Sequence, residues 1–318
     1  MKQILFNLPW LNIPVYGYGL MLVIAFLACT SVGKRLARRF GMDGELFVNA
    51  TLIALVMGLI GARLSHVLEN WRTYTDPQRS PWENLLDALN IRSGGLTFYG
   101  GFALATPCCI AYALRHRLPL LLSMDIVAPL VMIGLGFGRI GCFLNGCCYG
   151  AICPPSLGVR FPYNSIAYQD QFDDRKIIPP QELLSFSNDV PVLISAERAR
   201  QSGLAALAQQ QQSLPVLPTQ LYSAFTAFLL AAILVAYLGL PHRWGRGFAM
   251  MMMLEGPARF VLELLRVEPP VYVHQFGPWY VSMSYSMVGG IVVFIAGALM
   301  WAALGRRKSS PVIFSPAR

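Results

Sequence analysis

The residues best suited to chemistry in this sequence are arginines and glutamates set inside apolar segments. Between positions 247 and 266, Glu255, Arg259, Glu263 and Arg266 recur at steps of four, four and three. That spacing aligns side chains along one face of an α-helix and lets i, i+4 neighbours pair. The residues around them are apolar, so the pattern is a charged stripe within a hydrophobic helix, and the cost of inserting several charges there argues for a use. A structural reading stands beside it, in which Glu263 neutralises Arg259 and Arg266 reaches into an interface. Arg139 stands among glycines: Gly134, Gly136, Gly138 and Gly141, then Asn145, Gly146 and Gly150. Glycines let a neighbouring helix or a ligand approach the backbone closely. Helix packing accounts for Gly134 and Gly136. Arg139 asks for more, because a guanidinium grips a phosphate through two parallel hydrogen bonds.

A third element, Gly94, Gly95, Leu96, Thr97, Phe98, Tyr99, Gly100 and Gly101, opens an apolar run. Its glycines offer a headgroup access to backbone donors near a helix amino terminus, whose dipole favours anions. Tyr99 equally suits an interfacial aromatic belt. Arg63 and His66 end another apolar run nearby in sequence. Of the seven cysteines, Cys29, Cys108 and Cys109 lie in apolar runs, while Cys142, Cys147, Cys148 and Cys153 crowd one polar junction. The second group lacks the paired C-x-x-C spacing of a zinc ribbon. Disulfide bonding is the expectation there, because the junction reads as facing an oxidising compartment.

These groups need a scaffold, and composition names its solvent. With 55% hydrophobic and 13% charged residues, the chain carries more apolar surface than one soluble domain hides. A net charge of +9 invites a nucleic-acid reading, but the basic residues cluster just after apolar segments, which signals membrane orientation instead. Apolar runs able to cross a hydrocarbon core of about 30 Å fall near 14–33, 46–66, 95–114, 120–141, 218–238, 247–266 and 282–304. The first runs from Val15 to Cys29 directly into Lys34, Arg35, Arg38 and Arg39, so it reads as a retained span rather than a cleaved signal.

The expected fold is therefore all-α and polytopic, with seven transmembrane helices. The positive-inside rule places Lys34 to Arg39, Arg115, Arg117, Arg243, Arg246 and Arg306 to Lys308 on the cytoplasmic face. The amino terminus is then outside and the carboxy terminus inside. Residues 1–141 form a membrane body of spans one to four, 142–217 a small extracytoplasmic head, 218–305 spans five to seven, and 306–318 a basic cytoplasmic tail. Within the head, Gly158 to Phe161 reads as strand-like and Ala196 to Gln212 as helix-prone. The intramembrane charges gather toward the outer side. A transporter or channel would instead spread them across the bilayer.

In this order the elements resemble the prolipoprotein diacylglyceryl transferase family over most of the membrane body. Tyr18-Gly19-Leu20-Met21 is similar to its Y-G-L-M, and Gly61-Ala62-Arg63-Leu64 to its G-A-R-L. Arg139, Gly141, Phe143, Asn145, Gly146 and Gly150 fit its G-R-x-G-N-F-x-N-G-E-x-x-G signature. Pro218-Thr219-Gln220-Leu221-Tyr222 resembles H-P-T-Q-L-Y-E, and Arg259-Phe260, Glu263 and Arg266 resemble R-F-x-x-E-x-x-R. Departures are as specific: where the family usually has histidine, asparagine, glutamate, tyrosine, histidine and glutamate, this chain has Tyr99, Cys142, Cys147, Glu255, Leu217 and Ser223.

The resemblance implies an enzyme of the bacterial inner membrane, without metal or cofactor and with no nucleic-acid partner. It would transfer the diacylglyceryl group of phosphatidylglycerol to the lipobox cysteine of a prolipoprotein signal peptide, releasing glycerol phosphate. Tyr99, Arg139 and Arg259 take catalytic positions in this reading. Tyr18, Arg63, Gly94, Gly95, Gly100, Gly101, Asn145, Gly150, Gln220, Tyr222, Glu263 and Arg266 take substrate-binding ones. A phenol of reference pKa about 10 is a weak base toward a thiol of about 8.5. Tyr99 is thus expected to bind the phosphate or to be ionised by an arginine, with His66 or Glu255 as proton acceptor. A relative that binds lipid or prolipoprotein without catalysis is the other expectation.

Overall fold

The structure is a computed structural model describing residues 4–7, 14–75, 79–90, 95, 97–187, 190–266, 272–276 and 279–306. Gly94 and the tail beyond Arg306 lie outside the described residues. Strands β1 (Ile4–Asn7) and β2 (Pro14–Tyr16) pair antiparallel and lead into α1 (Gly17–Arg39). Then come α2 (Gly44–Glu69), the short α3 (Pro81–Leu89), α4 (Phe98–Arg115) and α5 (Leu120–Asn145). Between α5 and the next long helix lie α6 (Ile166–Asp173), an antiparallel hairpin of β3 (Leu184–Ser187) and β4 (Val190–Leu193), α7 (Ala196–Gln201) and α8 (Ala205–Gln210). Helices α9 (Thr219–Tyr237) and α10 (Arg246–Glu263) follow, then the hairpin of β5 (Tyr272–Phe276) and β6 (Trp279–Met283), and α11 (Tyr285–Arg306).

A long helix thus stands at each of the seven apolar runs. Of these, α1, α2, α5, α9 and α11 are long and apolar enough to cross a membrane on their own composition. Helix α10 falls outside that set because it carries Arg246, Glu255, Arg259 and Glu263. Only 11% of the apolar window of α2 is buried within the protein. The outward-facing leucines, valines and isoleucines need an apolar medium, so the chain is a helical, multi-pass membrane protein.

Contacts gather into two compact units, one within residues 29–127 and one formed by residues before 29 and after 127. In the first, α2 and α4 pack backbone to backbone. A Cβ on Gly61 would stand 2.4 Å from the Gly100 carbonyl oxygen, and one on Gly101 2.8 Å from that of Gly58. Side chains any larger would push the helices apart. The same device closes α10 on α11 in the second unit, where a Cβ on Gly256 would meet the Gly290 carbonyl oxygen at 2.5 Å. There Ala128 and Met132 of α5, Leu230, Ala231 and Leu234 of α9 and Met251 of α10 form a buried core.

Residues 142–217 carry small cores of their own: Tyr163, Tyr168, Leu183, Ala199 and Ala208 in one, Phe161, Ala167 and Val216 in another. The Tyr163 hydroxyl donates to the Ile194 carbonyl at 2.9 Å, and burial together with Tyr168 pushes its pKa up to about 12. The strand expected at Gly158 to Phe161 is reduced to a single bridge between Val159 and Val216. The helix expected over Ala196 to Gln212 divides at Gly203, whose φ of +73° no helix accommodates.

The basic clusters are partly structural. Lys34 pairs with Glu45, and Arg243 Nη1 donates to the Leu304 carbonyl at 2.9 Å, binding the exposed carbonyl end of α11.

Candidate active site

Glu255, Arg259 and Glu263 of the charged stripe lie along α10 and Arg266 stands three residues past its end, but their pairing differs from the i, i+4 expectation. Glu263, buried, accepts from Arg266 Nη1 at 3.2 Å and from Ser284 Oγ at 3.0 Å. Arg259 turns to α11, where its Nη2 donates to Ser286 Oγ at 2.9 Å. Glu263 and Arg259 therefore form no direct ion pair. Ser284 reaches Glu263 while its own oxygen also accepts from the Met287 amide at 3.3 Å, capping α11 as it anchors the carboxylate. Reading the sequence missed Ser284 and Ser286. Both hydroxyls stand at the start of the last apolar run, where no local spacing marks them as partners of α10.

Arg139 lies six residues before the end of α5, which closes in a tight carboxy-terminal turn. The Gly146 amide donates to Phe143 and the Cys147 amide to Cys142, with Gly146 at a φ of +76°. This is the Schellman pattern, which needs a left-handed residue where glycine stands. The chain after it is stapled to the start of α9 and to the residues just past α10. Thr219 Oγ1 donates to the Cys148 carbonyl at 3.0 Å, and Gln220 Nε2 to that of Cys147 at 2.8 Å. Gln220 is 1% exposed and its amide holds this turn. Gly150 bridges to Arg266, and the Ala151 amide donates to the Leu265 carbonyl at 3.0 Å. A Cβ on Gly150 would lie 2.6 Å from that same carbonyl oxygen. Asn145 sits inside the turn with its amide 3.9 Å from Cys147 Sγ. Tyr18, on the first turn of α1, lies over Gly141, whose Cβ would come within 2.9 Å of its ring.

These staples bring Arg139, Arg259 and Arg266 to one small cavity, lined also by Glu255, Glu263, Cys148, Thr219, Ser223 and Leu262. Arg139 and Arg259 come from separate helices. Three guanidiniums against two carboxylates leave the lining net positive, which suits an anion. Tyr222 lies outside this lining and is 40% exposed. The cysteines at the junction are all free thiols, so the expected disulfide is not formed. Instead the Sγ atoms of Cys142, Cys147 and Cys148 all lie within 4.8 Å of one another.

In the other unit, Arg63 is buried and spends its donors on the backbone. Its Nε donates to Ala88 at 2.7 Å, Nη2 to Asp87 at 2.7 Å and Nη1 to Gly95 at 3.0 Å, while its guanidinium stacks over Tyr74. Expected to bind lipid, Arg63 here positions the segment between α3 and α4. His66 lies 3.4 Å from the Asn70 amide and edge-on to Tyr74. Gly95, at a φ of +73°, has no room for a Cβ against His66 and Arg63. Gly100 and Gly101, expected at a headgroup, are covered by α2 as described. Tyr99 opens α4 and is 74% exposed.

The family model for prolipoprotein diacylglyceryl transferase matches residues 3–303. The chain belongs to that family. Among relatives, a phosphatidylglycerol–prolipoprotein diacylglyceryl transferase of Clostridium tetani is 26% identical over 294 residues, 92% of this chain and 97% of its own length. One from Xanthomonas oryzae pv. oryzae is 27% identical over 315 residues, covering 96% and 93%. One from Rhodopirellula baltica is 34% identical over 162 residues, which is half of this chain and 32% of that longer protein. Prolipoprotein diacylglyceryl transferases thus match this chain across both compact units and through residues 142–217.

Proposed function

We infer that this chain is a phosphatidylglycerol–prolipoprotein diacylglyceryl transferase that uses the arginine cavity as its phosphate site. The carrying observation is that Arg139 of α5 and Arg259 of α10 line one cavity together with Arg266. The cysteine sulfur of the lipobox, as thiolate, attacks the glycerol carbon that bears the phosphate. A C–S bond forms, the C–O bond breaks, and its electron pair leaves on glycerol phosphate. The developing charge on the leaving oxygen is what paired guanidiniums stabilise most. Glu263, held by Arg266 and Ser284, fixes the arginine frame. Glu255 lines the same cavity and takes the thiol proton; a part for Tyr99 in binding the lipid rests on its place in the sequence motif, not on this cavity.

In this reading all seven long helices cross the bilayer, the basic clusters mark the cytoplasmic side, and residues 142–217 form a head outside. The charged α10 is tolerated because its polar face meets the cavity and its other face the α11 backbone.

An assay with labelled phosphatidylglycerol and a lipobox peptide tests the site. Arg139→Gln and Arg259→Gln should each lower kcat by about 100-fold or more, the scale on which lost transition-state charge stabilisation operates. Full activity in either variant, with the chain correctly inserted, removes the shared-phosphate reading. Failure of the well-expressed wild-type chain to complement a strain lacking the transferase would favour a lipid-binding relative without catalysis.

A further inference from the structure

Cys142, Cys147 and Cys148 form a cluster that the transferase chemistry does not use. The closing turn of α5 explains how they meet. In a Schellman turn the residue three positions inside the helix end and the second residue beyond it are brought into side-chain contact, a place usually given to apolar groups. Here Cys142 and Cys147 hold those two places, as the Cys147 amide to Cys142 carbonyl bond of 3.1 Å records. Cys148 then takes a φ of +59°, a left-handed conformation uncommon for a residue with a side chain. Such strain persists where surrounding bonds over-determine it. Two do so here, from Thr219 to the Cys148 carbonyl and from Gln220 to the Cys147 carbonyl. The result is three half-buried sulfurs within 4.8 Å of one another, held before any ligand arrives.

We propose that these three thiols are a binding site for a thiophilic monovalent d10 cation of the Cu(I) type. Among the described residues the group offers sulfur donors only, with no histidine or carboxylate. Soft thiolates select soft ions. Structural Zn(II) takes four ligands, whereas a trigonal monovalent ion is satisfied by three. Binding releases the thiol protons and leaves three thiolates around one positive charge, a complex of net charge −2. Arg139 and Arg266, which act electrostatically on Cys148, offset that charge. A disulfide would use two of the three sulfurs and leave one over; the ion uses all. Cys148 also lines the arginine cavity, so occupancy fixes one wall of that site. The proposal stands whether or not the chain is catalytic.

The purified full chain, reduced and kept anaerobic in detergent, is titrated with Cu(I) against a chromophoric Cu(I) chelator. One ion per chain should be withheld from the chelator. Cys142→Ser, Cys147→Ser and Cys148→Ser should each weaken binding by about 100-fold or more, since losing even an outer-sphere partner of a metal ligand costs about 10- to 100-fold. Cys153→Ser should bind like wild type. Alkylation of the unmutated chain serves where a variant misfolds: Cu(I) should protect Cys142, Cys147 and Cys148 from iodoacetamide and leave Cys153 reactive. No retained ion, retention unaffected by all three substitutions, uniform protection of Cys153, or Zn(II) binding in preference to Cu(I) overturns the proposal.

Discussion

Glu263, the last residue of α10, accepts a hydrogen bond from Arg266 Nη1 at 3.2 Å just past the helix end, and this pair rather than Glu263 with Arg259 anchors the cavity. Both side chains are nearly out of solvent, at 4% and 14% exposure. Breaking a buried pair strands the remaining charge and costs several kcal/mol. Glu263→Gln should therefore destabilise the chain by about 3 kcal/mol and lower activity. Arg259→Gln should lower activity with little loss of stability, because Ser286 is its neutral partner. Thermal unfolding and kcat measured on both variants check the contrast, and equal unfolding temperatures would contradict it.

Gly150 is fixed by steric closure rather than by a special dihedral angle. A methyl group there meets the Leu265 carbonyl oxygen and Thr219 Cγ2, both at 2.6 Å. Overpacking of this kind typically costs about 1–3 kcal/mol. Gly150→Ala should loosen the bridge to Arg266 and reduce activity at least tenfold, while Gly138→Ala, with open space at its Cβ, should fold normally. Protection of the Ala151 amide in hydrogen exchange, which depends on its bond to Leu265, gives a direct readout.

The proton acceptor can be assigned by single substitutions scored for thioether formation. With Glu255 in the cavity and His66 beside Asn70, Glu255→Gln should abolish activity and His66→Ala should retain most of it. Tyr99→Phe should raise KM for the lipid more than it lowers kcat. Full loss in His66→Ala with Glu255→Gln active would transfer the role to the histidine.

Helix α3 supplies a pH-dependent prediction. The Ser80 amide donates to Glu83 Oε2 at 3.0 Å, and Ser80 Oγ accepts from the Glu83 amide at 3.2 Å. Those bonds to Ser80 hold the Glu83 carboxyl below its usual range. A lowered folded-state pKa means that the stabilisation is present above the unfolded value and is lost as pH falls through the folded one. Amides of α3 should exchange faster in Glu83→Gln than in wild type at pH 7. The two should converge below the ordinary glutamate pKa of about 4.3. A difference that persists in acid would assign the effect to something other than this carboxylate.

Much of this architecture was legible because lipid-facing helices announce themselves as long apolar runs, and each of the seven runs holds a helix. The arginines were legible for the converse reason, since charge inside such a run is costly. Pairing was not. Which partner Arg259 takes depends on how α11 lies against α10, and no local spacing encodes the reach of Ser286. The backbone partners of Arg63 were not legible, because a guanidinium's appetite for carbonyls looks the same in sequence as its appetite for phosphate. The glycines at 100 and 101 were equally ambiguous, as close approach by a helix and by a headgroup ask for the same missing side chain. The cysteine group was visible as a crowd of four, but its narrowing to Cys142, Cys147 and Cys148 was not, because that geometry comes from a turn and not from a metal-ligand spacing.

The abutting backbones of α10 and α11 at Gly256 and Gly290 bear on traffic through the protein. With a carbonyl filling the place of each missing Cβ, that seam has no width for a fatty-acyl tail. On the proposed reading, a phospholipid travelling to Arg259 passes along some other flank of α10 than this seam.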